Sequence, residues 1–466
     1  MEYAITTRHP MYEAFAPAWK LMRDAFDGED AIKRAGETYL PMKSGTAAMK
    51  DAAKKKAAYE AYKTRAEFPE LVAPTVRGSV GTMLDQAADI KLPSTMEGLR
   101  ENATGDGLTL EALHRRISIE LLTVGRYGLM PGIAEGGDPY IAGYVAEAPI
   151  NWAVVNRKLD YLVLDESGSV LNRETGKWES KEVYRESYLE DGRFQSREWT
   201  KMNDSWVPGD PVGATDPRRR PLDFIPFVFV NTNDLQADPD DVPLYGLGKV
   251  AVRIYRLDAD YTFALHMTSE PTPVAIGFDD PKAAVADGLA PATIGSSVLW
   301  ILPKGGDAKY LEFEGAGLEA QSTAIQASLD RAVALGSQLL VDRNRTAESG
   351  EALKLRLGKQ TATLKTIAMT SAAGLERALK NIALWIGANP DDVKVTPNLD
   401  FFEHEISAQE IMATVAGWQA GAYSKRSMFN RMKRGGFHEP DRGFEEEEEE
   451  IKAEGGLPPV DLPEGV

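Results

Sequence analysis

The sequence predicts an α+β fold, mainly α, from two contrasting hydrophobic patterns and from composition. Apolar residues recur at helical spacing through most of the chain, whereas residues 139 to 231 alternate apolar and polar residues as strands do. Hydrophobic residues make up 43% and charged residues 27% of the 466 residues, so the chain can build sizeable cores and is not disordered overall. Its length suffices for two or three domains or for one elongated subunit with several regions.

The amino-terminal part predicts helices in two groups. Residues 11 to 68 form the first group, and its helices are expected to break at Gly28, Pro41 and Gly45. A second helical pair is predicted over residues 75 to 88 and 110 to 125. The latter helix carries one apolar stripe, made of Leu113, Ile117, Leu121 and Val124.

The central stretch predicts strands. Asp191-Gly192 lies between two alternating runs and supplies the residue pair that a tight hairpin turn favours. The run FIPFVFVN, residues 224 to 231, predicts a buried strand, and Pro226 confines it to a sheet edge or to its own first residues.

The order of the remaining elements is a long helix, a small β module, a second long helix, a polar stretch and a longer helix. The first helix runs from about 244 to 269, and strand signals follow in PVAIGF, SSVLWIL and KYLEFEG. The second helix starts near Leu318, and its apolar stripe is Ile325, Leu329, Val333, Gly336 and Leu340. The polar stretch covers 341 to 351, and the third helix ends near Ile386. Two helices that flank a small inserted module can pair antiparallel and hold the module at the far end of a stalk.

The charge balance disfavours a protein that grips nucleic acid tightly. The formal net charge is -18, whereas proteins that hold DNA through its phosphates are normally basic. From Glu439 to the end, eleven acidic residues face two basic ones, so this stretch carries half of the net charge. The first eight residues lack the pattern of a signal peptide, and no run approaches the about 18 uninterrupted apolar residues of a spanning helix. We therefore expect an intracellular product without a membrane partner.

The motif search finds no catalytic, cofactor or metal site, and we expect none. Gly246-Leu247-Gly248 begins a loose dinucleotide-binding pattern, but a loop precedes it where that site requires a strand. The chain has no cysteine, and its five histidines lie far apart in the sequence. His404-Glu405 starts like a zinc-protease helix, but its second ligand is missing because Ala408 occupies that position.

Several short motifs in a fixed order resemble those of one known family. Residues 349 to 354 (SGEALK) resemble the element that opens a long helix after a channel loop. Other matching stretches are 124 to 128, 150 to 152, 225 to 229, 254 to 256, 259 to 261 and 421 to 428. Each motif alone is weak, but together they are similar to the portal proteins of tailed bacteriophages, over roughly residues 10 to 450.

The resemblance implies a portal-type subunit with named regions. Residues 1 to 240 would form the wing, including the β-rich 139 to 231, and 241 to 270 with 317 to 340 the paired stem helices. Residues 271 to 316 would form the clip and 341 to 351 the channel loop. The long wing helix and its connection would cover 352 to 400, the helical crown 401 to 450, and a flexible tail 451 to 466.

The family also implies function and partners. We expect a homo-oligomer, typically of twelve subunits, that forms a ring-shaped channel at one capsid vertex for packaging and ejection of double-stranded DNA. The DNA passes non-specifically; the terminase large subunit docks first and the tail adaptor later, beside major capsid and scaffold proteins. The protein would lie in the virion, and in the host cytoplasm during assembly.

Three sets of candidate site residues follow. The stretch 341 to 380 has a net charge of +4, and its candidates for facing DNA in the channel are Arg343, Arg345, Lys354, Arg356 and Lys359. These cations could instead bond to neighbouring subunits or solvate a helix face. In the clip, the candidates for docking partners are Val298, Trp300 and Ile301, with an intrachain core as the equal alternative.

The third set is an acidic run of six glutamates in the crown, Glu445, Glu446, Glu447, Glu448, Glu449 and Glu450. Self-repulsion predicts that this block stays extended and does not pack. It could repel packaged DNA, bind a basic internal protein, or be a solvated tail.

Three alternatives to a portal remain at this point. One is another structural head or head-to-tail protein without a DNA channel, which the absence of a central pore would reveal. Another is a carboxylate-based hydrolase, which requires paired acids with separated pKa values in a pocket. A nucleic-acid-binding module is disfavoured by the acidic balance and by the lack of a base-reading motif. We expect a protein that is not an enzyme.

Overall fold

A computed structural model describes most of the chain. The described residues are 4–134, 136–203, 205–269, 272–287, 302–311, 317–336, 350–399, 401, 408–434, 437–438 and 442–453. They divide into two compact units, residues 1–398 and 399–466. Each unit contains helices, and the first also contains the sheets, so the mixed α and β character predicted from the sequence is observed.

The helices of the first unit are α1 (Pro10–Asp27), α2 (Glu29–Ala35), α3 (Ser44–Ala47), α4 (Ala52–Arg65), α5 (Val72–Met83), α6 (Leu110–Val124), α7 (Tyr245–Thr268), α8 (Pro281–Ala286), α9 (Leu318–Gly336) and α10 (Gly350–Ile386). Short 3₁₀ turns lie at Gly36–Thr38, Ser94–Arg100 and Pro390–Asp392. The second unit contains α11 (Ala408–Gln419), α12 (Lys425–Arg434) and α13 (Phe444–Ala453).

The strands are β1 (Asp89–Lys91), β2 (Arg126–Ile133), β3 (Pro139–Val145), β4 (Pro149–Val155), β5 (Lys158–Asp165), β6 (Gly168–Asn172), β7 (Lys177–Lys181), β8 (Val183–Glu190), β9 (Arg193–Met202), β10 (Ser205–Pro208), β11 (Val212–Gly213), β12 (Val228–Asn231), β13 (Thr272–Ile276), β14 (Asp307–Leu311) and β15 (Lys394–Thr396). Within the described residues, the largest sheet has the order β10-β9-β8-β5-β4, with β11 also on β9. A second sheet has the order β12-β2-β3, and β1-β15, β6-β7 and β13-β14 are two-stranded pairs.

The helix predictions near the amino terminus are correct in type but not in every boundary. The prediction of a break at Gly45 is wrong, because Gly45 lies inside α3. The helix predicted at 75 to 88 is observed as α5, which starts three residues earlier because Pro74 is tolerated in a first turn. The helix predicted at 110 to 125 is confirmed as α6, and Gly125 caps it in the left-handed region, with φ +77°.

Local turn and edge predictions in the β region are confirmed. Asp191 and Gly192 have φ values of +50° and +72° and join β8 to β9, as a two-residue hairpin turn requires. Of the strand predicted over 224 to 231, only the second half is observed, because β12 begins two residues after Pro226. Within the described residues β12 pairs with β2 alone, so it is an edge strand.

The core of the first unit forms where α10 lies across the β12-β2-β3 sheet. Gly374 of α10 approaches Val230 of β12 so closely that a Cβ at position 374 would lie 2.4 Å from a Val230 methyl carbon. Thr370 of α10 donates to the backbone oxygen of Thr232 at 3.0 Å. This contact fixes the long helix against the strand and against the loop that leads to α7.

Candidate functional site

The two helices that flank the small β module pack as an antiparallel pair. A Cβ at Gly246, at the start of α7, would lie 3.7 Å from the methyl carbons of Leu335, at the end of α9. At the opposite ends, β13 follows α7 and pairs with β14, with Thr272 opposite Leu311 and Ile276 opposite Asp307. Gly305 has φ +86° and lies in a turn two residues before β14. The arrangement is a two-helix stalk with a β module at its tip.

The base of the stalk is buried and its far half is not. The fully buried residues of α7 are Leu247, Gly248, Val250, Ala251, Val252, Ile254, Tyr255 and Ala259, all in the first two-thirds of the helix. Gly248 allows α1 to come close, since a Cβ there would lie 2.7 Å from the sulfur of Met22. Beyond Ala259, Leu265 and Met267 are exposed. The glycine pattern at 246 to 248 therefore serves helix packing at the base of the stalk.

The apolar stripe predicted for α9 is only partly covered in the single chain. The buried residues of α9 are Ser328, Ala332 and Gly336, which are small and spaced by four. Of the predicted stripe, Gly336 is buried but Val333 is 57% exposed. Ile325 and Leu329 of the stripe are half-buried, and Leu340 lies outside the described residues.

Most predicted channel and docking residues cannot be placed. Arg343, Arg345, Val298, Trp300 and Ile301 lie outside the described residues. The backbone of Lys354, Arg356 and Lys359 lies in the first turns of α10, and their side chains are outside what is described.

Three motifs that carried the family resemblance meet around one buried arginine. Arg126 lies between the rings of Trp152 and Phe229, with its Cζ atom 4.5 Å and 4.3 Å from the two ring centroids. These residues come from stretches 124 to 128, 150 to 152 and 225 to 229. The guanidinium is fully buried, and burial lowers its pKa to about 9 against the opposing effect of Asp238 and Asp240. The three motifs are visible in the sequence, but their contact is not, because no local pattern indicates which distant residues meet.

The same cluster anchors the loop that leads to the stalk. Arg126 Nη2 donates to the backbone oxygen of Ala237 at 2.7 Å, and Trp152 Nε1 donates to Asp238 Oδ1 at 2.9 Å. Asn231 Nδ2 donates to the backbone oxygens of Gln236 and Asp238. The loop 232 to 244 is thereby fixed at the point where α7 begins.

A set of ion pairs ties α1 to α6 and to the turn between β3 and β4. Arg23 of α1 donates to both carboxylate oxygens of Glu120 at 2.9 Å and 2.7 Å, and to both of Glu147 at 3.0 Å. Such bidentate pairs fix orientation as well as distance. Since Glu120 lies on α6 and Glu147 in the turn between β3 and β4, one side chain holds three elements together.

The acidic run forms a helix, which contradicts the prediction that it stays extended. Residues 445 to 450 lie in α13, and its glutamates pair with cations of α12 and of the connecting segment. The pairs are Arg426 with Glu445, Lys425 with Glu448, and Arg442 with Glu447 and Glu450. Neutralisation by these partners removes the self-repulsion on which the prediction was based.

One histidine–serine contact lies in the core of the first unit. His114 and Ser371 approach to 3.0 Å, but both are buried, and burial lowers the pKa of His114 to about 4. Their contact links α6 to α10. No three histidine or acidic side chains in the described part of the chain are placed to hold a metal ion. A cleft of about 640 Å³ near Trp385 contains Arg185 and Arg197, and both are paired with glutamates.

Among the residues that the structure describes, no helix is both long and apolar enough to cross a membrane.

Comparison with known proteins identifies one domain family and several solved structures. Residues 243–386 match a family described as a domain of unknown function, DUF4055, and this match spans α7 to α10. No curated protein matches the chain. A chain in the virion of a native gene transfer agent particle is 14% identical over 76% of this chain and 86% of its own length, with a TM-score of 0.38.

Two further matches come from particle necks. A chain in the neck of the empty particle, computed with C6 symmetry, matches 79% of this chain and 90% of its own. A chain in the neck of the native particle, computed with C12 symmetry, matches 78% and 89%. Both are 14% identical, with a TM-score of 0.38. A likeness at this level establishes neither a shared fold nor a shared function.

Proposed function

We propose that this chain is a portal-type subunit, a structural protein that forms a ring around double-stranded DNA at one vertex of a phage capsid. The observation that carries the proposal is the stalk, in which α7 and α9 run antiparallel and β13 and β14 pair beyond their ends. The long helix α10 follows and returns to the wing sheet at Gly374. This is the order of stem, clip, stem and wing helix that a portal subunit requires.

The exposed faces of the stalk support a ring. Leu265 and Met267 of α7 and Val333 of α9 are exposed in the single chain. Exposed apolar residues on a packed helix pair are typical of surfaces that another chain covers. In a closed ring each subunit presents one side of its stalk to the next, so both helices would lose exposed apolar surface on assembly.

The net charge is more typical of a channel through which DNA passes than of a protein that holds DNA tightly. A basic bore would hold DNA through every phosphate contact, because each contact releases counterions and adds affinity. A chain with a net charge of -18 repels the duplex over most of its surface, so that a few local cations suffice to centre it. Within this proposal Arg343 and Arg345 are those cations, and the chain is not an enzyme.

The proposed partners follow from the same role. The subunit would assemble with copies of itself, twelve to a ring, among capsid and scaffold proteins. The clip segment, residues 271 to 316, would dock the terminase large subunit during packaging and the tail adaptor afterwards. The protein would then reside at the portal vertex of the virion.

Negative-stain electron microscopy of the purified chain, with solution mass measured alongside, tests the proposal. We expect rings with a central pore and a mass near that of twelve 51.0 kDa subunits, with or without capsid and scaffold proteins present. A chain that forms no rings even with those proteins would contradict the proposal. Rings or lattices without a pore would favour the alternative, a head or head-to-tail structural protein that lacks a DNA channel.

A pair of matched substitutions tests the stalk contact itself. Val333→Glu places a charge on the exposed face of α9, and Val212→Glu places the same charge on β11, where Val212 is 68% exposed. Both variants should fold, with unchanged helix content by circular dichroism, because neither side chain is buried. We expect Val333→Glu alone to abolish rings, and rings of normal size from that variant would contradict the assignment of α9 to the subunit interface.

A further inference from the structure

Helices α12 and α13 carry equal and opposite charge. The sequence of α12 contains five cations and no acid, namely Lys425, Arg426, Arg431, Lys433 and Arg434. The sequence of α13 contains six glutamates and one lysine, which gives a net charge of -5 against the +5 of α12. A ten-residue helix with five cations has the charge density of a surface that binds phosphates.

The acidic helix pairs with two cations of the basic helix and with one cation of the connecting segment. Arg426 pairs with Glu445, and Lys425 Nζ lies 3.8 Å from Glu448 Oε1. Arg442, in the connecting segment, pairs with Glu447 and Glu450, while its backbone oxygen accepts from Lys433 Nζ at 2.7 Å. Lys425, Arg426 and Arg442, which could otherwise bind phosphates, are therefore paired with glutamates of α13.

The two helices share one apolar contact. Phe429 of α12 is 4% exposed, and its ring lies 5.5 Å from that of Phe444 at the start of α13. Arg426 also lies over the Phe444 ring, with its Cζ atom 5.1 Å from the ring centroid. The rest of α13 is held by ion pairs to four glutamates, of which Glu445 and Glu450 are 70% and 66% exposed and Glu448 and Glu447 are 36% and 21% exposed.

Exposed ion pairs are weak and screened by salt, so a stronger anion can replace the glutamates. Duplex DNA carries one charge per about 1.7 Å of its axis and gains affinity by counterion release at every phosphate contact. The glutamate carboxylates of α13 already contact three cations that such phosphates could bind.

We propose that α12 is a binding site for the phosphate backbone of duplex DNA, and that α13 covers this site until the duplex displaces it. The inference rests on the proposed function, which supplies the duplex as ligand. It adds a second DNA contact to that function, located in residues 399–466, with an affinity that α13 limits.

The test compares DNA binding by the full-length chain with and without the charges of α13. Glutamine is a good helix former, so changing all six residues Glu445 to Glu450 to glutamine removes the charge while favouring the helix. Binding of a fluorescein-labelled 30-base-pair duplex is measured by anisotropy from 50 to 200 mM salt. The variant frees three cations, Lys425 and Arg426 of α12 and Arg442 of the connecting segment. The slope of log affinity against log salt should therefore steepen by about 2.7, so that the fall in affinity from 50 to 200 mM salt is about 40-fold larger than for the unchanged chain.

A matched control separates the site from general charge. Six exposed glutamates of residues 1–398 changed to glutamine alter the net charge equally; they are Glu37, Glu101, Glu111, Glu174, Glu179 and Glu190. An equal gain in binding from this control would overturn the proposal, as would unchanged binding by the α13 variant. Adding Lys425→Gln and Arg426→Gln to the α13 variant should cancel most of its gain.

The single change Glu448→Gln frees Lys425 of α12 and preserves more of the unit; the other partner of Glu448, Lys452, lies on α13 itself and outside the proposed site. Its salt slope should steepen by about 0.9, and an unchanged slope would overturn the proposal even if the six-fold variant failed to fold. Ring formation is scored on the same samples by electron microscopy. If the chain forms rings but the α13 variants bind DNA no better than the unchanged chain, this inference is refuted and the proposed function stands. If the unchanged chain forms no rings, the proposed function is refuted.

Discussion

Gly125, at the end of α6, should tolerate no side chain. It caps α6 with φ +77°, a conformation that costs an L residue about 1 kcal/mol or more. A Cβ at this position would also lie 1.7 Å from the backbone oxygen of Asp241. Since ordinary contacts are about twice as long, the loop 232 to 244 would have to move away.

The magnitude follows from what that movement breaks. Thr232 N donates to Asp240 Oδ1 at 3.2 Å, and Thr232 Oγ1 donates to the backbone oxygen of Asp241 at 3.4 Å. Two lost hydrogen bonds cost about 1 kcal/mol each, and the left-handed strain of alanine adds about 1 kcal/mol. We therefore expect Gly125→Ala to lower the free energy of unfolding by about 3 kcal/mol.

Gly81 provides the matched control. It lies in α5, is exposed, and a Cβ there would meet nothing within 4 Å. Gly81→Ala should raise the free energy of unfolding by about 0.5–1 kcal/mol, because alanine loses less backbone entropy in a helix. Urea titration followed by circular dichroism measures both changes. A Gly125→Ala variant as stable as the unchanged chain would refute the reasoning that the loop cannot yield.

Three further predictions concern other groups. Burial lowers the pKa of His114 to about 4 in the folded chain, so only the unfolded chain takes up this proton as pH falls from about 6.5 towards 4, and the folded chain loses stability. In urea titrations the variant His114→Gln should lose less stability than the unchanged chain between those two pH values. Parallel pH profiles of the two proteins would contradict this. Arg126→Lys should lower the free energy of unfolding by about 2 kcal/mol, because an ammonium group cannot stack between two rings, and a change under about 0.5 kcal/mol would exclude that role. Neutralising Arg343 and Arg345 to glutamine should reduce packaged DNA in assembled particles without loss of rings, and normal DNA content would rule them out as channel contacts.

Features that depend on a few neighbouring residues could be predicted from the sequence. Asp191-Gly192 forms the expected turn because both residues tolerate positive φ, and the β8–β9 register follows from it. Gly125 ends α6 for a similar local reason. The stalk was predictable because two long helical patterns flank a short stretch with strand signals, and chain connectivity then favours an antiparallel pair.

Features that depend on distant residues could not be predicted. Arg126, Trp152 and Phe229 are spread over about a hundred residues, and their contact appears only when β2, β4 and β12 are brought together. The exposure of Val333 on the α9 stripe could not be predicted, because periodicity reports that a helix has an apolar stripe but not which neighbour covers it. The buried residues of α9 are small ones, which carry little weight in a hydrophobic pattern.

The glutamate run shows that a block of like charges must be considered together with blocks of opposite charge nearby in the sequence. Alone, six adjacent carboxylates repel one another and favour an extended chain. Ten residues before α13, however, α12 ends a block of five cations, and a helical hairpin can align the two. Glutamate is also a good helix former, and Glu445, Glu446 and Glu447 lie in the first turn of α13, where the helix dipole favours negative charge. Propensity, dipole and pairing act in the same direction, and together they outweigh a repulsion that the pairing has already reduced.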